Sequence, residues 1–244
     1  MLSLKIFNKL KKIHLNILNQ KKIDPQTISN EYLFINRFHP ELIKRYFFLK
    51  NLNFFQKIKS LSNLFQLRNN FFKIDYYKSY RNLKKNKILF ISALDNEKFI
   101  NRENQHLNEL IKIFKDDDYI EIVKSDFDTN ANKKIKKNKY NRRRIFLNGN
   151  IGFFREIKLL ISHFYSFYKN KKKYSKNKNN FERDHIKKIF SFDAFLISVK
   201  NYKYYIQLCL LFKILEPKII FFPYEGFAWE RLVVNAAKIN DIKV

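Results

Sequence analysis

From Lys87 onward, apolar and polar positions change period in regular blocks. KILFIS at 87–92 is a continuous apolar run of strand length. Leu107, Leu110, Ile111 and Phe114 then recur at helical spacing, which predicts a helix over 104–115. YIEIVK at 119–124 returns to a strand pattern, and RRIFL at 143–147 predicts a third strand. An amphipathic helix is expected over 151–168, its apolar face running through Phe154, Ile157, Leu160, Ile161, Phe164 and Tyr168. Helical segments are expected at about 182–197 and 200–215, the second stopped by Pro217. A strand over 218–223 and a helix over 227–239 close the series. Strands and helices in alternation predict an α/β fold with a parallel sheet and right-handed crossovers. Continuous apolar strands suit a sheet covered on both faces. Ile242, Lys243 and Val244 read as the first residues of a further strand, so the sequence is expected to be the N-terminal part of a longer protein.

Residues 1–86 are patterned differently and are expected to form a helical N-terminal extension to the domain at 87–244. Leu2, Ile6, Leu10, Ile13 and Ile17 lie on one helical face over 2–18, with Lys5, Lys9, Lys12 and Asn16 off it. Such a helix either packs on its own domain or lies on an anionic membrane. Residues 26–80 are aromatic and weakly periodic, suggesting short helices before the basic linker Arg81 to Lys87.

Among 244 residues, 50 are Lys or Arg and 22 are Asp or Glu, a net charge of +28. The bias toward Lys, Asn, Ile, Phe and Tyr matches AT-rich codons, so the charge alone does not identify a nucleic-acid ligand. It does favour anionic surfaces and substrates. The basic runs at 133–144 and 169–178 lack regular aromatic interleaving and read as solvated loops, with no specific nucleic-acid partner expected. Cys209 is the single cysteine, which excludes a disulfide framework and a zinc-ligand set. The five histidines are scattered without metal spacing, and no metal or cofactor is expected; His106 and His163 fall on expected helices and read as structural or exposed. Asp116 to Asp118 read as a solvated turn. No apolar run reaches transmembrane length and no signal peptide is evident, so a cytoplasmic protein is expected, with peripheral contact on the inner face of the plasma membrane an added option.

Candidate chemistry gathers after the strands. In open α/β sheets ligands bind at the carboxyl ends of strands. The segment KIIFFPYEGFAWER at 218–231 reads as strand, turn and helix, placing Tyr224, Glu225, Gly226, Trp229 and Glu230 after such an end. Glu225 suits a general base; Glu230 alternatively serves the helix dipole, and Trp229 the core. The loop Ser92 to Glu97 follows the first strand with Ser92, Asp95 and Asn96. Asn148 and Gly149 open the turn NGNIG, which could hold an anion or act as a plain turn and helix cap. Glycine occurs only at 149, 152 and 226, so each is expected where the backbone turns sharply or approaches something closely.

The run Glu225-Gly226-Phe227-Ala228-Trp229-Glu230, with the opening strand Lys87 to Ser92, resembles bacterial surface-carbohydrate biosynthesis proteins of the GT-B glycosyltransferase type. The resemblance is carried by 218–244 and is silent on 1–86. It implies that 87–244 is the Rossmann-like N-terminal half of a GT-B fold. A nucleotide-linked sugar donor would be held mainly by a C-terminal domain, and the acceptor would be a polysaccharide or lipid-linked molecule. On that reading Glu225 is the first choice of base and Asp95 the second. Ser92, Asn96, Asn148, Gly149, Tyr224, Gly226, Trp229 and Glu230 would line the crevice. A chain lacking the C-terminal domain would be inactive alone. The alternative reading is a non-catalytic basic protein binding anionic membrane or nucleic acid.

Overall fold

In the computed structural model, residues 4–18, 24–30, 32, 33, 55, 88–94, 102, 104, 106–115, 118–125, 143–147, 149, 151–224 and 227–244 are described. Four strands, β1 (Ile88–Leu94), β2 (Tyr119–Ser125), β3 (Arg144–Leu147) and β4 (Ile219–Phe221), form one sheet of order β3-β2-β1-β4. Every neighbouring pair is parallel. The α/β class and the parallel sheet therefore stand as expected. Lys243 pairs in parallel with Ile219, on β4, where 242–244 read as a strand beginning.

The helices are α1 (Leu4–Leu18), α2 (Pro25–Ile28), α3 (Asn108–Ile111), α4 (Phe153–Ser175), α5 (Asn180–Ile189), α6 (Phe192–Leu215) and α7 (Ala228–Ile239). Four depart from expectation. The helix expected over 104–115 shortens to the single turn α3, because Asn104 Oδ1 takes the His106 and Leu107 N–H groups and holds the chain before it in a turn. α4 runs on through Lys169 to Lys173, expected as loop: lysine is a good helix former and no Gly or Pro interrupts it. The next two helices break at Phe190 and Ser191, not near 198, since the Ser191 hydroxyl takes the Ala194 N–H and caps α6.

The described residues group into two compact units that are discontinuous in sequence. The first draws on Met1–Phe65, Phe153–Tyr202 and Glu225–Leu232. The second draws on Gln66–Gly152, Lys203–Tyr224 and Val233–Val244.

The first unit is helical. Leu10, Ile13 and Ile17 of α1 are buried in it, while Lys9, Lys12 and Asn16 are exposed. Of the two readings of 2–18, packing on its own unit accounts for this apolar face; Leu2 and the Ile6 side chain lie outside the described residues. His14 of α1 stacks on His185 of α5, with their Nε2 atoms 2.8 Å apart. The segment 24–33 is the polar centre of the unit. Asp24 caps α2 by accepting from Thr27 N–H at 2.9 Å, with Pro25 in the first helical turn. Around it, Asn201 donates to the Ser29 carbonyl and Arg231 to the carbonyls of Ile28 and Asn30. Asn30 in turn donates to the Ile189 carbonyl.

The second unit holds the sheet. Parallel register puts side chains of paired residues on one face. On one side Phe90, Tyr119 and Phe221 meet Ile111 and Phe114. Phe90 is fully buried, with ring centroids of Phe114, Tyr119 and Phe221 at 5.3–5.5 Å. Truncating such a ring to alanine costs about 3–5 kcal/mol. On the other side Lys124 of β2 lies over the Tyr204 ring of α6, 5.2 Å from its centroid.

Candidate functional site

The strand order fixes where a ligand crevice would be. From β1 the chain crosses to β2 and β3 on one side, and β4 joins on the other. The reversal falls between β1 and β4, and the crevice of an open sheet lies at the carboxyl ends of strands flanking such a reversal. Register pairs Ile88 with Ile219, Leu89 with Ile220 and Phe90 with Phe221. Ser92, two residues beyond the last pair, therefore stands near the end of β4.

Ser92 is buried, and its Oγ accepts from Asn104 Nδ2 at 2.9 Å. The same Nδ2 reaches Glu121 Oε2 at 3.3 Å, and Arg144 Nε donates to that oxygen at 2.8 Å. Arg144 also donates to the Arg102 carbonyl. Glu121 and Arg144 are register partners on β2 and β3, so the sheet itself aligns the ion pair. Their side chains are only 7% and 2% exposed. The network ties β1, β2 and β3 to Asn104 and Arg102. It occupies Glu121. Sequence reasoning missed Asn104, Glu121 and Arg144. A signal existed: Glu121 sits between Ile120 and Ile122 in a strand, where a buried acid needs a cation beside it.

Beyond β3, Gly149 has φ +71°, and its N–H donates to Gln207 Oε1 of α6 at 3.1 Å. That N–H is therefore committed within the protein. A Cβ at Gly149 would meet only ordinary contacts, 3.7 Å from Tyr204 Cε1 and 3.8 Å from Lys203 Cβ, so conformation and not space calls for glycine. Lys124 and Lys203 are buried on this side of the sheet. They bring cationic charge beside the Gly149 turn.

Beyond β4, Tyr224 is half exposed and meets Phe222 edge-on at 6.1 Å. Trp229 and Glu230 belong to the first unit and are buried. Glu230 Oε2 accepts from Phe227 N–H at 3.0 Å, reaching back from the third position of α7 to the residue before it. That is one half of a capping box, and it assigns Glu230 a helix-terminal role. Glu225, Asp95, Asn96, Asn148 and Gly226 lie outside the described residues.

The first unit contains a second cluster of polar groups. His163 Nε2 lies 2.8 Å from Ser198 Oγ, which meets Ser29 Oγ in turn. Phe167, Phe195 and Tyr202 enclose the ring. Burial holds the His163 imidazole down to about 3, so the ring is neutral and serves as packing. Among the described residues, no group of three or more His, Cys, Asp or Glu could hold a metal ion. Among them also, no helix is long and apolar enough to cross a membrane. Comparison with protein-family models, curated proteins and solved structures gives no match to this chain.

Proposed function

We propose that this chain is a glycosyltransferase-like protein of surface polysaccharide biosynthesis, transferring a sugar or related group from a nucleotide-linked donor. The observation that supports the reading is the strand order β3-β2-β1-β4. It matches the first four strands of a doubly wound nucleotide-binding fold, one three-strand half and the first strand of the next, with its crevice between the ends of β1 and β4. The segments that follow those two strands in sequence carry Asp95 and Glu225. Transfer to a hydroxyl requires a base that removes its proton as the new bond forms. Glu225 takes that role in the proposal, with Asp95 second. Lys124 and Lys203 add the positive charge that a phosphate-bearing, lipid-linked acceptor would call for. Tyr224, exposed beyond β4, offers an aromatic face for a sugar ring. The donor would be held mainly by a second domain of the GT-B type.

The test is transfer of labelled sugar from a panel of nucleotide-linked donors to lipid extracts of polysaccharide-producing bacteria, using the whole natural protein. Label moving into a lipid-linked or polysaccharide product supports the reading. Absence of transfer and of donor binding across the panel rejects it.

A further inference from the structure

α4 carries two apolar faces. Its inward face runs through Leu159, His163 and Phe167, all buried, with Glu156 buried at its start. The opposite face is the one the sequence marks as most apolar. Phe154 is 84% exposed, Ile161 68%, Tyr165 66% and Tyr168 62%. Steps of four and three residues, through 154, 158, 161, 165 and 168, put them in one row. The row is about 21 Å long at the helical rise. Phe154, Ile157, Lys158, Ile161, Ser162 and Tyr165 line a shallow groove of about 550 Å³ along it. An apolar row of this kind marks a docking surface.

Charge decides what docks there. α4 carries Arg155, Lys158, Lys169, Lys171, Lys172 and Lys173, against a single acid, Glu156, which is buried. Lys158 and Lys172 are exposed within this row, and Lys169 is exposed beside it. A second copy of this chain would bring the same cations against these, with no exposed acid on the helix to answer them. An anionic lipid surface answers both features. Its headgroups pair with the lysines, and its acyl boundary takes Phe154 and Ile161 while the tyrosines stay at headgroup level.

We propose that the outer face of α4 lies in the surface of an anionic bilayer and docks the protein there. The proposal does not depend on the transferase reading, and it places docking on α4 and not on α1, whose Leu10, Ile13 and Ile17 are buried inside the first unit.

The experiment is sedimentation of the full chain with phosphatidylcholine vesicles, with and without phosphatidylglycerol. Two double variants are compared, Phe154→Ser/Ile161→Ser and Lys169→Glu/Lys172→Glu, each checked for an unchanged thermal melt. Since all four positions are exposed, the variants should fold. The wild type should pellet with the phosphatidylglycerol vesicles and not with neutral ones. Each double variant should lose roughly tenfold or more in partitioning, the first through lost apolar burial and the second through lost charge. The proposal is overturned if wild type binds neither vesicle, or if the Phe154→Ser/Ile161→Ser protein binds unchanged. It is equally overturned if the row instead closes a dimer that this variant dissolves, or if RNA binding is the interaction that the variants abolish.

Discussion

At the scale of single residues, the informative groups are ionisable side chains that the fold has taken out of water. Glu121 and Arg144 are buried together, and their attraction is offset by the cost of stripping water from both. Arg144→Met should therefore cost about 3–5 kcal/mol, because it leaves the Glu121 carboxylate buried without its cation. The double variant Arg144→Met/Glu121→Leu should recover most of that loss. Urea unfolding of the single and double variants measures the difference, and equal destabilisation of both would remove the pair from the core's energetics. The histidines make a separate prediction. Burial, with Lys188 adding repulsion, holds His185 at about 4, and burial alone holds His163 at about 3. Both rings are neutral when folded, whereas an unfolded chain takes up their protons near pH 6.5. Their contribution is thus complete above about pH 6.5 and is lost as pH falls toward 4, at up to about 1.4 kcal/mol per pH unit for each ring. A urea midpoint that stays level from pH 7 to pH 5 would contradict this. The sequence announces neither pair. His14 and His185 are 171 residues apart and meet only through folding, while Glu121 was visible as an acid between two isoleucines but its partner was not. Glycine was more legible, since scarcity singled out Gly149 and Gly152, and both adopt positive φ.

At the scale of elements, the pattern located the four described strands to within a few residues, because each carries an apolar stretch of strand length. Helices were harder to bound. Their ends depend on single side chains such as Asn104, Ser191 and Glu230, whose capping bonds are contextual. Glu230→Ala should lower stability by about 1 kcal/mol through loss of the cap at the start of α7. Thermal melting checks it; an unchanged melt would mean that the Phe227 N–H finds water or another acceptor without loss. α4 shows how periodicity can mislead. Phe154, Ile161, Phe164 and Tyr168 form its most hydrophobic stripe, yet they are exposed, and the core takes Leu159, His163 and Phe167. Periodicity reports that a face is apolar, not which surface covers it. A second apolar stripe interrupted by His163 and Glu156 is easily read as polar.

At the scale of the whole molecule, the sheet order says where a ligand crevice would lie, and the sequence supplies carboxylates to the segments that follow its two strands. Its legibility came from strand and crossover spacing, which restricts parallel topologies to few choices. The helical unit was not legible in that way. Its polar centre at 24–33 is clasped by groups from 189 to 231, contacts that no local pattern encodes. The most direct measurement on the proposed chemistry is turnover of Glu225→Gln in the whole protein, with labelled nucleotide-linked donor and the acceptor identified for wild type. Removing a general base from a hydroxyl transfer should lower turnover by about 10²-fold or more, with the melting temperature unchanged. A folded Glu225→Gln protein that turns over at the wild-type rate would contradict the assignment of Glu225.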